Sequence, residues 1–394
     1  MKKILGVFVF VLAIVAVTAA AAAAWLLMRI ETPLGLDPPV DGVVYVSGYE
    51  DAAIGATRRI LRILDETHLP SMSVATGVDG KLVWTLAAGY ADIDSRTTAS
   101  TATRYRVGSV AKSFTAVAMG TLLDDGALRL EDSYHQWVPG FPQKAHPFTL
   151  RQLASHQAGV RHYQPGIGAL FETYHQTQYH TVSDALHMVR DDALMFEPGT
   201  AFLYSSYGYN MLSLALERAA ETGFLQLMDQ RVYEPLGMRS TQADHQGRET
   251  ADVATPYLLW EDVILRQIDV NNSYKWAGGG FLSTPADLVR FANGLLFGDV
   301  ISKNTRSLLW TPQLLSDGST NPQNYALGFR VIATDRGPHI SHGGSSVGGS
   351  AYMVMRPAEG IALGFATNAT PLTMTRNLRQ ELDELLDLFL AARP

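Results

Sequence analysis

At 394 residues the chain is long enough for two or three average domains or for one large mixed domain, and length alone leaves that open. A net charge of −7 without any Lys/Arg block argues against nucleic-acid binding, and the absence of cysteine excludes disulfides, thiolate metal sites, a cysteine nucleophile and a lipidated cysteine. The 47 % hydrophobic and 18 % charged shares are those of a globular protein, the first inflated by one N-terminal run.

That run comes first in the chain. Lys2 and Lys3 lead into 25 uncharged residues, 4–28, closed by Arg29. At about 1.5 Å of helical rise per residue this stretch is long enough to cross a bilayer core. Alanines 19–24 offer small residues for processing, but a cleavable apolar region is about 7 to 15 residues long, so 1–31 reads as an uncleaved anchor ahead of a signal peptide. The two lysines before the span, with Glu31 and Asp37 offsetting Arg29 after it, place the N-terminus in the cytoplasm and the body outside. The expected setting is a membrane-anchored, periplasmic or cell-surface body, or a secreted one if the segment is cut.

Residues 32–48 are rich in Pro, Gly and Asp and read as a linker. An amphipathic helix is predicted over 52–67. Strand-like runs at 71–78 and 81–89 flank Asp79-Gly80, a two-residue signal for a type I′ hairpin. From 109 to 123 the pattern turns helical and almost wholly apolar, as in a helix buried on most sides. Further helices are predicted at 150–154, 182–190, 206–222 and 285–297, the last with Thr284, Pro285 and Asp287 as cap, first-turn proline and capping acid. The stretch 224–232 is a weaker helical pattern. Strands return at 327–332, 339–342, 350–355 and 361–367, and a helix over 376–392 carries one apolar stripe suited to covering a sheet.

Strands at both ends with helices between them predict an α+β fold, an antiparallel sheet flanked by helices and interrupted by an inserted all-helical lobe. One unit over 49–394 results, with an α/β lobe at 49–105 and 275–394 and a helical lobe at 106–274.

Ser109-Val110-Ala111-Lys112 carries the chemistry. At three-residue spacing on a helix the hydroxyl and the amine share a face. A serine is a weak nucleophile until a base takes its proton, and a lysine desolvated beside Phe114 and Val117 is neutral often enough to serve.

The segment Glu197-Pro198-Gly199 through Tyr204-Ser205-Ser206 resembles the Tyr-x-Asn element of the class C β-lactamase-related serine hydrolases. His342-Gly343-Gly344-Ser345 resembles the family's Lys-Thr-Gly or His-x-Gly strand. Residues 150–160 and 279–284 resemble its Leu-Leu-Ser-His-Thr-Ser-Gly-Leu and Gly-Gly-x-x-Ser-Thr stretches, so the likeness runs over about residues 50–390. It implies a β-lactamase/transpeptidase-like fold with Ser109 as nucleophile, and Lys112 and Tyr204 sharing the proton transfers. It further implies that His342 orients substrate or stabilises charge, and that the backbone N–H groups of Ser109 and Ser345 hold the oxyanion. Gly343, Gly344 and Ser206 would border the substrate.

Two departures shape the expected activity. Ser206 stands where many members have Asn, and His342 stands where β-lactamases have a Lys that holds a carboxylate. An unperturbed histidine is mostly neutral at pH 7, which moves an esterase or small-peptide hydrolase, including one acting on cell-wall D-amino-acid peptides, ahead of a β-lactamase or D-alanyl carboxypeptidase. A non-catalytic tethered scaffold is the reading from another class. No cofactor is required, and no metal is expected, since there is no His-Glu-x-x-His and His175 and His180 lack an acidic companion. The expected partners are a small ester or peptide and, through the N-terminal segment, a membrane. His156 reads as a structural residue away from the site, and the segment 162–180 reads equally as cleft lining or solvated loop.

Overall fold

The computed structural model describes residues 29–30, 38–245, 252–260, 263–370 and 376–394. The stretch 4–28 read as a membrane span lies outside the described residues, among which no helix is long and apolar enough to cross a membrane.

The sheet is formed by Val40–Val44 (β1), Ser71–Val78 (β2), Lys81–Asp92 (β3), Arg330–Ile332 (β4), His339–Ser346 (β5), Gly349–Arg356 (β6) and Ile361–Thr367 (β7). All neighbours are antiparallel, in the order β4-β5-β6-β7-β2-β3-β1, with Thr97–Thr98 paired to β3 off this path. The two ends of the chain meet where β7 pairs with β2, Phe365 opposite Val74. Asp79 and Gly80 take φ of 49° and 78°, the two positive angles a type I′ turn needs. Part of the stretch read as a linker is an edge strand instead. Val40–Val44 pairs with Trp84–Ala88 of β3, and its half-exposed pattern gave no alternation strong enough to mark it.

The helices that cover the sheet and carry the site are Glu50–Thr67 (α1), Ala111–Asp124 (α2), Leu150–Ala154 (α3), Ser206–Ala220 (α4), Trp276–Gly279 (α5), Pro285–Phe297 (α6) and Arg376–Ala391 (α7). On one face Leu363 and Phe365 of β7 pack with Ile60 and Leu64 of α1 and with Leu382, Leu385 and Phe389 of α7. Arg59 ties α1 to α7 through Glu381 at 3.3 Å and Glu384 at 2.5 Å.

On the other face Ala362, Ala366 and Met353 pack with Phe114 of α2 and Leu288 and Phe291 of α6. Small residues there let α6 lie close. A Cβ on Gly77 would come within 2.6 Å of Val289 Cγ1, and one on Gly364 within 2.6 Å of Pro285 O. Thr284 caps α6 by accepting from Asp287 N, with Pro285 in the first turn, as the sequence predicts.

The middle of the chain is mainly helical, and it adds short strands that the sequence pattern did not mark. Tyr257–Trp260 and Val263–Arg266 form a hairpin whose second strand pairs with Arg29–Ile30, while Tyr105–Arg106 pairs with Phe281–Ser283.

Candidate active site

Ser109 sits in a single 3-10 turn, Gly108–Val110, that feeds directly into α2. Lys112, one turn on, is fully buried, and its amine lies 3.1 Å from Ser109 Oγ, 2.9 Å from Ser206 Oγ and 2.6 Å from Gly278 O. The carbonyl can only accept, so it takes one N–H. A neutral amine then keeps a lone pair that a hydroxyl can donate to, and Ser109 is placed to do so. Burial is the main cause that pushes the Lys112 pKa well below its ordinary 10.5, followed by the positive charges of Lys275 and Arg330.

Tyr204 faces the same hydroxyl from the other side. Its ring centre is 4.7 Å from Lys112 Nζ, and its hydroxyl is in side-chain hydrogen-bonding reach of Ser109. Desolvation raises the phenol pKa above its ordinary value, so it holds its proton at neutral pH. Ser205 and Ser206 divide two tasks. Ser205 Oγ accepts from Gly208 N to cap α4 and donates to Arg161 O, which turns Ser206 toward Lys112.

The strand β5 crosses directly against the start of α2. A Cβ on Gly344 would lie 1.8 Å from Val107 O and 2.8 Å from Ser109 N. One on Gly108, whose φ is +49°, would lie 2.5 Å from Ser345 N. Only glycine fits at both positions. The crossing brings the Ser109 and Ser345 backbone amides to one edge of a cleft of about 290 Å³, which Gly343, Gly344 and Tyr204 also line.

His342 departs from the expected orientation. It is buried, with Nδ1 2.7 Å from Gly343 O and Nε2 3.0 Å from Tyr325 Oη. The carbonyl fixes the proton on Nδ1, so Nε2 accepts from the tyrosine. Both ring nitrogens are engaged inside the protein, and burial, with Lys112 and Arg330 nearby, holds the imidazole neutral by pushing its pKa well below 6.5.

Two other histidines stand behind the same residues. His156 Nδ1 accepts from Ser205 N at 3.1 Å and His162 Nδ1 from Ser206 N at 3.2 Å, so the imidazoles take successive free amides at the start of α4. The His156 ring is 4.3 Å from that of Tyr204, which corrects its reading as a residue away from the site. Burial first, then neighbouring cations, push the His162 pKa down to about 4. The segment 162–180 divides accordingly. His162 and Tyr163 border Ser206, whereas Phe171 is 75 % exposed.

A second buried lysine, Lys275, stands just before α5. Its amine is 3.4 Å from Ser346 Oγ, and burial and Arg106 push its pKa down to about 8. Arg106 in turn donates to Asp244, Asp269 and Val347 O, fixing the turn between β5 and β6. The sequence carried no local signal for this support, because Asp244 and Asp269 are distant from Arg106, and Ser346 from Lys275, in the chain and become their neighbours only in the fold. Among the described residues no group of three or more His, Cys, Asp or Glu is disposed to hold a metal.

A serine and a buried lysine at a helix start, a tyrosine across them and a glycine-bearing strand along their edge, on this sheet and these helices, define a β-lactamase/transpeptidase-like protein. Residues 56–387 match the Beta-lactamase family, and the chain belongs to it. It is 28 % identical to the human serine beta-lactamase-like protein LACTB, mitochondrial, over 78 % of this chain and 72 % of that one. It is 26 % identical to penicillin-binding protein 4* of Bacillus subtilis, over 75 % and 67 %. Among solved structures, EstCE1, a hydrolase with promiscuous acyltransferase activity, superposes with a TM-score of 0.74 at 22 % identity, over 86 % of this chain and 100 % of that one. The D-amino acid amidase of Ochrobactrum anthropi gives 0.71 at 20 % identity with the same coverage.

Proposed function

We propose that this chain is a serine hydrolase that works through an acyl-enzyme on Ser109 and acts on small esters or short peptides. The observation that carries this reading is the buried Lys112 amine 3.1 Å from the Ser109 hydroxyl, with the tyrosine facing both. Lys112 takes the Ser109 proton as Oγ bonds to the carbonyl carbon. The Ser109 and Ser345 amides hold the negative oxygen, and Tyr204 passes its proton to the leaving oxygen or nitrogen as the bond from that atom to the carbonyl carbon breaks, then recovers a proton from Lys112. Water then attacks the Ser109 ester, giving one proton to Lys112; the bond from the carbonyl carbon to Oγ breaks, and that proton passes to Oγ as the acid leaves.

Esters and peptides stand ahead of β-lactams because His342 is neutral and turned inward, where it offers no cation to a substrate. The D-amino acid amidase likeness keeps peptides with D-residues in view. The intact Ser109, Lys112 and Tyr204 arrangement weighs against a non-catalytic scaffold.

Hydrolysis of p-nitrophenyl butyrate by the wild type, with a loss of at least about 10³-fold in Ser109→Ala at equal folded concentration, is the expected outcome. Turnover that survives Ser109→Ala would remove the proposal. A membrane-anchored, extracytoplasmic setting belongs to the same reading and rests on the sequence of 4–28. Protease treatment of intact cells or spheroplasts that left the body uncut would count against it.

A further inference from the structure

Three oxygens meet the Lys112 amine, and their protons have to be arranged for it to work as a base. Gly278 O, at 2.6 Å, takes one N–H. The neutral amine then has one N–H and one lone pair for two hydroxyls, Ser109 at 3.1 Å and Ser206 at 2.9 Å. Ser206 is the nearer, and it can donate to the lone pair as well as Ser109 can. In that arrangement Ser109 accepts from the amine, and its own proton is turned away from the base. Once the lysine has taken a proton the demand is stricter. An ammonium has three N–H groups and no lone pair, so Ser206 can only accept from it. The state ready to react and the state that follows both require the Ser206 proton to point away from Lys112.

Ser206 is buried, so that proton needs an acceptor inside the protein. Tyr163 supplies one. Its hydroxyl is in side-chain hydrogen-bonding reach of Ser206 and also of the buried Tyr274 hydroxyl, which gives the Tyr163 proton an acceptor in turn. Burial pushes the Tyr163 phenol up to about 12, so it keeps its own proton and accepts through an oxygen lone pair. The ring is held by a stack on His162, centres 4.3 Å apart, and by an edge contact with Tyr207 at 5.4 Å. His162 accepts from Ser206 N at 3.2 Å, so one imidazole sets Tyr163 against Ser206. A Cβ on Gly278 would lie 2.8 Å from Ser206 O, and this contact holds Ser206 beside the carbonyl that shares its lysine. Tyr163 is not among the residues lining the Ser109 cleft, so its effect on the reaction passes through Ser206.

We propose that Tyr163 is a positioning residue for catalysis: by accepting the Ser206 proton it makes Ser206 an acceptor toward Lys112 and reserves the lysine lone pair for Ser109. This rests on the hydrolase reading above. No proton leaves Ser206 or Tyr163 at any step, and only the direction of their hydrogen bonds is set.

The test is kcat/KM for p-nitrophenyl butyrate against pH in the wild type, Tyr163→Phe, Ser206→Ala and the double variant, at equal folded concentration. Tyr163→Phe should lower the plateau by about tenfold, the worth of one hydrogen bond. Its rising limb should also move to lower pH, because a freed Ser206 donates to the neutral amine and no longer stands ready to accept from the ammonium. Phenylalanine keeps the ring that stacks on His162, and it leaves in place Lys275, Arg330, His156 and His342, which also act on Lys112, and the flanking rings of Tyr204 and Tyr209. A looser, wetter site would shift the limb the other way, since hydration favours the ammonium. In Ser206→Ala there is no proton to direct, so adding Tyr163→Phe should change kcat/KM by less than about twofold. A packing defect would act in both backgrounds. An undiminished plateau in Tyr163→Phe, a limb that stays or moves to higher pH, or an equal loss in the Ser206→Ala background overturns the role while leaving the hydrolase reading in place. A wild type without turnover and without an acyl group on Ser109 overturns both.

Discussion

At the scale of single residues, the site turns on keeping one amine uncharged. A lysine can accept a proton only in its neutral form, and burial, Lys275 and Arg330 all push Lys112 toward that form. The rising limb of kcat/KM against pH should therefore lie well below 10.5. The sign of a neighbour's effect follows directly: removing a positive charge makes Lys112 easier to protonate and raises its pKa. Lys275→Met should thus move the limb to higher pH in a p-nitrophenyl butyrate profile. A shift to lower pH, or none, would show that Lys275 does not act on Lys112. Ser109 and Lys112 were legible in the sequence because local helical spacing alone aligns them. His156 and His162 were not, because their partners, Ser205 N and Ser206 N, lie 49 and 44 residues away and become neighbours only in the fold.

Among the elements, close approach explains most of the glycines near the site and beneath α6. Gly364 and Gly77 let α6 press on the sheet, and α6 packs through Phe291 against Phe114 of α2, ring centres 4.9 Å apart. Gly364→Val should therefore destabilise the fold by about 1–3 kcal/mol and disturb the seat of α2, read as a lower denaturation midpoint with reduced esterase activity. Unchanged stability would mean that α6 is free to shift. The boundaries of α6 were legible because Thr284, Pro285 and Asp287 are local signals. The edge strand β1 was not, because Pro, Gly and Asp hide a strand whose ladder is supplied by β3. The hairpin of Tyr257–Trp260 and Val263–Arg266 escaped notice because its order comes from pairing with Arg29–Ile30 and Ala369–Thr370, both distant in sequence.

Over the whole molecule, a sheet split between the chain's two ends encloses the helical middle and fixes where the two meet. The serine, lysine and tyrosine come from the middle, while β4, β5 and α7 bring the glycine-bearing edge of the cleft and its two arginines from the C-terminal part. This division made the fold class readable: strand patterns at both ends and the apolar stripe of the last helix required a shared sheet. The resemblance drawn over about residues 50–390 coincides closely with the family match at 56–387. What stayed hidden was the cleft's charge, which arises only when β4, β5 and α7 converge. The most direct measurement is rapid quenching of p-nitrophenyl butyrate turnover, followed by intact-protein and peptide mass spectrometry. One butyryl group on the Ser109 peptide of the wild type, absent from Ser109→Ala, is the expected result. Turnover with no adduct, or with the butyryl group on another residue, would contradict the assignment of Ser109 as nucleophile.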